Sequence, residues 1–346
     1  MLLPEGLHTQ IKAVEPLAGD ASVRRFFRLR THTGASYVAV SYPPPSNGLH
    51  KTHLAMNEYL KRYRIPVPRI LGVHEKGSLL VVEDLGEETL EAFFARESPR
   101  AARTYYKKAI DLLVTLQGAA TDKLCPSDVA YQSILDEKKF MEELEHTYRY
   151  FLCGLLGVKP KPAQKLALQE GFRALARRAA QQPWVLCHRD YHSRNLLVRE
   201  KGIGVVDYQD ARRGPYTYDL ASLLRDSYTS LTERFRTEMI GYFLSRSKNR
   251  WNGRPVREDF EYVSLQRNLK ALGTFAYQKV ERGTGRYLPY VQPTLKQVWL
   301  NLHRFEEEFD GLRKALRDCV AKADASLSAP SRRKGRGKKG RPSRAA

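Results

Sequence analysis

With 346 residues, 42% hydrophobic and 10% aromatic, the chain can bury a sizeable core and is too apolar for a disordered polymer. No apolar run approaches the eighteen residues of a membrane span, the N-terminus does not read as a secretion signal, and four scattered cysteines without a Cys-x-x-Cys pair exclude a zinc ribbon and argue against a disulfide framework, so a cytoplasmic protein is expected. Lys and Arg outnumber Asp and Glu by 59 to 38, and removing the eight cations of the last sixteen residues still leaves 51 against 38, or +13, a balance that suits an anionic ligand such as a nucleotide.

In chain order, Arg25 to Arg30 and Tyr37 to Tyr42 read as β-rich runs around a Thr31-His32-Thr33-Gly34 turn, and Pro43-Pro44-Pro45 ends the second. Leu54, Tyr59 and Leu60 are spaced for a helix over Lys51 to Tyr63 that stops before Ile65-Pro66. Ile70 to His74 and Ser78 to Val82 read as a hairpin across Glu75-Lys76-Gly77. Residues 1–87 thus form a small lobe in the order strand, strand, helix, strand, strand. Residues 88–323 are mostly helical, with long helices predicted at Ala101 to Gln117, Ile134 to Leu155 and Lys161 to Gln181. A β island follows (Trp184 to Leu186, Leu196 to Val198, Ile203 to Val206), and helices resume from about Asp219 to near Ala323. Residues 324–346 are rich in Ser, Ala, Pro, Gly, Lys and Arg and are expected to be a disordered basic tail.

The β island holds His188-Arg189-Asp190-Tyr191-His192-Ser193-Arg194-Asn195, a full match to the catalytic-loop pattern H-R-D-x-x-x-x-N. Downstream, the apolar run Ile203-Gly204-Val205-Val206 ends in Asp207. A loop followed by a hairpin sets Asp190, Asn195 and Asp207 around one mouth. Phosphoryl transfer needs a carboxylate near the acceptor hydroxyl and hard oxygen ligands for Mg²⁺ on the phosphates. Asp190 is the candidate base, and Asn195 and Asp207 are the candidate metal ligands. Upstream, Gly19-Asp20-Ala21-Ser22-Val23-Arg24-Arg25-Phe26-Phe27-Arg28 is a polar turn entering a strand, where a kinase carries its phosphate-covering loop, but without repeated glycines. Backbone N–H groups near Gly19 to Ser22, the Ser22 hydroxyl, and one of Arg24 or Arg25 are candidate ATP ligands. The backbone at Glu83, Asp84 and Leu85, where the chain passes between lobes, is the candidate adenine reader, with Val40 and Val82 as apolar walls.

These residues resemble the aminoglycoside-phosphotransferase-like branch of the protein-kinase-like fold over about residues 10–310. Five strings narrow the likeness to bacterial anomeric sugar kinases that act on N-acetylmuramic acid and N-acetylglucosamine. They are Ala18 to Arg28, Val82-Glu83-Asp84-Leu85-Gly86, Val206-Asp207-Tyr208-Gln209-Asp210-Ala211, Gly214 to Asp219, and Gln266 to Gly273. The resemblance implies an α+β, two-lobed protein-kinase-like fold with a small antiparallel-sheet N-lobe and a mostly helical C-lobe. It implies an ATP- and Mg²⁺-dependent kinase that makes a sugar α-1-phosphate for cell-wall recycling or nucleotide-sugar synthesis. Carried over by position, Asp190 is the base, Asn195 and Asp207 hold metal, and Asp219 buttresses the catalytic loop; a helix N-terminal carboxylate opposing the dipole is an equal reading of Asp219.

One departure stands out. Tyr37-Val38-Ala39-Val40-Ser41 aligns with V-A-I-K, so Ser41 replaces the lysine and Glu58 on the next helix loses its expected partner. Either the chain is a silent pseudokinase, or Arg24, Arg25 or Arg28 supplies the charge; the intact Asp190, Asn195 and Asp207 favour the second. For the sugar, Glu143, His146 and Tyr150 share a helix face, and Glu143 and His146 are candidate contacts. Gln209, His192 and Arg194 complete the candidate substrate set, while Gln266, Arg267 and Lys270 share a face open to salt bridging or surface exposure. Rival readings are a kinase for an aminoglycoside or amino alcohol, and a catalytically silent nucleotide-binding regulator. The basic tail reads either as a solvated, flexible appendage or as a weak binder of nucleic acid or anionic surfaces, and the protein is expected to be a monomer.

Overall fold

The computed structural model describes residues 10–17, 24–42, 49–74, 79–200 and 202–328. Five strands build the first lobe: β1 (Ile11–Leu17), β2 (Arg25–Thr31), β3 (Ser36–Ser41), then after helix α1 (Leu49–Arg62), β4 (Ile70–His74) and β5 (Leu79–Glu83). They pair antiparallel in the order β1-β2-β3-β5-β4. The expected order lacked β1. Its side chains do alternate between half-buried and exposed, but it carries Lys12, Glu15 and Pro16, which argue locally against a strand. Val40, Tyr42, Leu80 and Val82 pack one face of the sheet towards α1, and Leu29, Ala39 and Val81 pack the other.

Past the Asp84-Leu85-Gly86 crossing, the second lobe opens with α2 (Leu90–Arg96), capped by the Thr89 hydroxyl, and α3 (Pro99–Thr115), capped by Ser98. A short helix α4 (Val129–Gln132) precedes α5 (Glu137–Thr147), which continues as a π-helical segment through Tyr148–Leu155. The sequence reading started this helix at Ile134. The Asp136 side chain instead accepts the Lys139 N–H at 2.8 Å and fixes the start at Glu137, while Ile134 bridges to Arg213. Helix α6 (Pro162–Ala180) leads to β6 (Trp184–Cys187), the 3-10 turn Ser193–Asn195, and the hairpin β7 (Leu196–Arg199) and β8 (Gly202–Val205). Strand β9 (Arg212–Pro215), an Arg-Arg-Gly-Pro run with no strand signature, is a strand because it pairs with β6. Helices α7 (Tyr218–Leu224), α8 (Glu233–Arg246), α9 (Val256–Val280), α10 (Val291–Arg304) and α11 (Asp310–Ser328) complete the lobe. Helix α11 runs past the boundary expected at Ala323; residues 329–346, with most of the basic tail, lie outside the described residues.

Helix α9 is the spine of this lobe, packing against α5, its π segment, α7 and α10. Its crossing with α5 is close. A Cβ on Gly273 would sit 2.6 Å from Thr147 Oγ1 and 2.8 Å from Thr147 Cα. The Thr147 hydroxyl donates across the same crossing to the Leu269 carbonyl at 2.8 Å. Gly273→Ala is therefore expected to cost about 1–3 kcal/mol by overpacking, even after the roughly 1 kcal/mol that alanine gains in a helix. Thermal unfolding checks it: an unchanged midpoint would mean the two helices part without cost.

Among the described residues no helix is long and apolar enough to cross a membrane.

Candidate active site

The catalytic loop leaves β6 in a conformation that ordinary residues avoid, with φ at +82° for Arg189 and +64° for Asp207 on the far side of the hairpin. Both are held by surrounding hydrogen bonds. The buried Asp219 carboxylate, at the start of α7, accepts the N–H groups of His188 at 2.6 Å and Arg189 at 3.0 Å. Burial raises its pKa against the stabilising pull of His188, so the two backbone donors matter to keeping it charged. The Asp226 carboxylate accepts the Ser193 N–H at 2.8 Å and its hydroxyl at 2.5 Å. Asn195 donates its amide to the Asp190 carbonyl at 2.9 Å and accepts the Val206 N–H on its backbone oxygen at 3.0 Å. These bonds bring Asp190, Asn195 and Asp207 to one mouth, where two cavities meet: Asn195 and Asp207 line both.

The first cavity, of about 510 Å³, lies between the lobes. Val38, Val40, Val82, Leu85, Leu197 and Val206 make it an apolar slot. At its edge the Glu83 N–H is already spent on the Arg69 carbonyl at 2.8 Å, and the Glu83 carboxylate pairs with Arg69 and Arg199. Asp84 is fastened by Arg28 at 2.6 and 3.1 Å and by the Gly86 N–H at 3.0 Å. Leu85, beside them, lines the cavity.

The pleat of β2 settles which arginine serves the cavity. Arg24, Phe26 and Arg28 line it, whereas Arg25 lies on the opposite, exposed side. Arg28 is engaged by Asp84 and Glu87. Arg24 reaches across the cleft to Asp207 at 2.5 Å. The expectation for Arg25 is therefore withdrawn. Ser22 and its turn lie outside the described residues. Glu58 is exposed, and the α1 side chains turned inward are His53 and Asn57.

The second cavity, of about 310 Å³, is walled by Asp190, His192, Asp226 and Tyr228 on one side and by Arg267, Lys270 and Phe275 of α9 on the other. The Lys270 ammonium sits 3.5 Å from the Asp190 carboxylate, 3.5 Å from the Tyr218 hydroxyl and 3.9 Å from Glu143. Arg267 donates to the Arg189 carbonyl at 2.7 Å and stacks on the Tyr218 ring. Burial by itself would raise the Asp190 pKa; Lys270, Arg189 and Arg267 outweigh it and hold the carboxyl well below the usual range. Burial lowers the His192 pKa against the opposing pull of Asp226 and Asp190.

Two sugar candidates are misplaced. Glu143 is buried beneath Arg189 and Lys270, accepts from Gln266 at 2.9 Å, and lines neither cavity. His146 packs tilted against Tyr150 and Tyr277 at centroid distances of 4.5 and 5.4 Å, and lines neither cavity. Arg194 lines the first cavity but is held by Glu91 at 2.6 and 3.0 Å, with its guanidinium over the Tyr228 and Tyr290 rings. Gln209 also faces the first cavity, its amide donating to Asp207 at 3.1 Å. Sequence reasoning left Lys270 and Arg267 undecided and missed Asp226, Tyr228 and Arg225. A usable signal existed: cations inside an otherwise buried helix rarely lack a charged partner.

The residues suit a magnesium ion. Among the described residues no three acidic, His or Cys side chains converge on one point. Magnesium in kinases does not need such a cage; it takes one or two protein oxygens and fills its shell with phosphate and water oxygens. Asn195 commits its amide nitrogen inward and so offers its oxygen, and Asp207 offers a carboxylate. When bound, the ion would neutralise charge on the phosphate oxygens.

The pattern of the phosphotransferase enzyme family matches residues 13–258. A protein named N-acetylmuramate/N-acetylglucosamine kinase from Neisseria meningitidis serogroup B is 30% identical over 302 residues, 84% of this chain and 86% of its own. One of the same name from Pseudomonas aeruginosa is 32% identical over 281 residues, 79% of each chain. Among solved structures, an amicoumacin kinase in complex with AMP-PNP, Ca²⁺ and Ami superposes with a TM-score of 0.59 at 14% identity, over 82% of this chain and 87% of the other. That last likeness concerns the protein-kinase-like fold alone.

Proposed function

The chain belongs to the phosphotransferase enzyme family, and on that premise we propose that it is an ATP- and Mg²⁺-dependent kinase that phosphorylates the anomeric hydroxyl of an N-acetylhexosamine. The observation that carries this reading is the meeting of an apolar interlobe slot and a polar cavity at Asn195 and Asp207, with Asp190 on the polar side. Adenine takes the slot between Val40, Val82 and Leu85. Arg24 meets phosphate oxygens in place of the strand lysine that Ser41 lacks. Asn195 and Asp207 hold the metal. Asp190 orients the sugar hydroxyl and accepts its proton as the phosphoryl group transfers. His192, Asp226 and Tyr228 offer the polar and aromatic surface a pyranose needs. The names of the curated relatives support the carbohydrate, and a sugar 1-phosphate is what nucleotide-sugar synthesis or cell-wall recycling would consume.

An aminoglycoside acceptor is disfavoured because four cations (Arg189, Arg225, Arg267, Lys270) and only three carboxylates (Asp190, Asp207, Asp226) line the second cavity. A polycationic ligand would meet like charge there. The test is incubation with Mg·ATP and a sugar panel, following ADP release and the phosphorus NMR spectrum of the product. Splitting by a single anomeric proton is expected. Splitting by a methylene pair would place the phosphate on C6 and sink the anomeric assignment. Silence with every sugar while nucleotide still binds would favour a regulator.

A further inference from the structure

Ser41 and the exposed Glu58 leave the chain without the strand-lysine and helix-glutamate pair that positions phosphates in kinases. A different set of groups fills that space. The His53 ring, buried on α1, is bonded through both nitrogens: Nδ1 lies 2.6 Å from the Tyr42 hydroxyl and Nε2 lies 2.9 Å from the Tyr208 hydroxyl. Asn57, one turn along the helix, donates to the same Tyr208 hydroxyl at 2.5 Å and to the Pro68 carbonyl at 2.8 Å. Arg24, ion-paired to Asp207, also hydrogen-bonds the Tyr42 hydroxyl.

Counting donors leaves the chain two directions, both with a neutral ring. In one, the Tyr42 oxygen accepts from the Arg24 guanidinium and its proton goes to His53 Nδ1. The imidazole is then the neutral Nε2–H tautomer and donates to Tyr208, whose oxygen also accepts from Asn57. In the reverse direction Nδ1–H donates to Tyr42 and the Tyr208 hydroxyl donates to Nε2; in both, one neutral ring is bonded at both nitrogens. Burial drives the His53 pKa down to about 4, with Arg24 adding to the effect and Asp207 opposing it. The uncharged ring is what either direction requires.

We propose that His53 is a positioning residue that does the work of the absent ion pair: through Tyr42 it holds Arg24 in the nucleotide cavity, and through Tyr208 it fixes the segment that presents Asp207. The two ends of one neutral ring thereby tie α1 and β3 of the first lobe to the metal-binding turn of the second. The inference rests on the first cavity being the nucleotide site.

The test is calorimetric binding of AMP-PNP, with and without Mg²⁺, to the wild type and to His53→Leu, His53→Gln and Tyr42→Phe, alongside thermal unfolding. His53→Leu is expected to weaken Mg·AMP-PNP about tenfold or more, the loss of roughly one buried hydrogen-bonded contact. Glutamine can accept from one tyrosine and donate to the other, so His53→Gln is expected to restore affinity to within about threefold. In the double variant with Tyr42→Phe the losses should not add, because both break one chain. A folded His53→Leu protein with wild-type affinity would overturn the proposal, as would a His53→Gln protein no better than His53→Leu. Absence of binding by the wild type would overturn the nucleotide reading together with it.

Discussion

Asp190→Asn is expected to lower turnover by about a thousandfold with the fold intact, within the range that a positioned general base contributes. The asparagine is the same size, keeps an oxygen for the Lys270 ammonium 3.5 Å away, and leaves the Asp190 carbonyl free to accept from Asn195. What it removes is the charge that Lys270, Arg189 and Arg267 surround and the lone pair that receives a hydroxyl proton. The Asp190 carboxyl, held low by those cations, is a weak base. That suits a loose phosphoryl-transfer transition state, in which the proton leaves late and orientation of the hydroxyl matters more than basic strength. The measurement is ADP release under saturating Mg·ATP and sugar, paired with a melting curve. Turnover within tenfold of wild type in a folded variant would remove Asp190 from the chemistry.

The site was legible where its geometry is written in neighbouring residues. The run from His188 to Asn195 and the strand ending at Asp207 form one loop and one hairpin, so local spacing carried their convergence. It failed where the answer depends on which way an element faces. Phe26 and Phe27 are adjacent and both apolar, so alternation along β2 had no phase, and Arg24 could not be chosen over Arg25 until the strand was paired. The helix carrying Glu143 and His146 was recognised, but its inward side packs on α9 and not on the cleft. Glu143 therefore neutralises cations below the site, a task for buried charge that a surface pattern does not display.

The rest was illegible for a topological reason. Lys270 and Arg267 come from α9, and Asp226 and Tyr228 from the segment after α7, all distant in sequence from the catalytic loop. The same distance hid β9, whose polar residues are a strand only because β6 lies beside them. The missing lysine could be read at Ser41; its replacement could not, because His53 and Tyr208 are joined only by the closing of the two lobes.

Asp207→Asn should be at least as damaging as Asp190→Asn, but by another route, and the contrast separates the two carboxylates. Asparagine is among the few residues that accept φ near the +64° found here, so the turn should survive. Its oxygen can still accept from Arg24 and Gln209, the present partners of Asp207. The loss is one full negative charge beside the Arg24 guanidinium, where the proposed divalent ion would be held. Taking the several kcal/mol that charge neutralisation at phosphate supplies, about 4 kcal/mol of it corresponds to about a thousandfold in rate. AMP-PNP should still bind without metal, since the apolar slot is untouched, but the gain in affinity on adding Mg²⁺ should shrink or vanish. In Asp190→Asn that gain should persist, because its carboxylate faces the acceptor cavity. Wild-type magnesium dependence in Asp207→Asn would move the metal elsewhere, and with it the assignment of which cavity holds the phosphates.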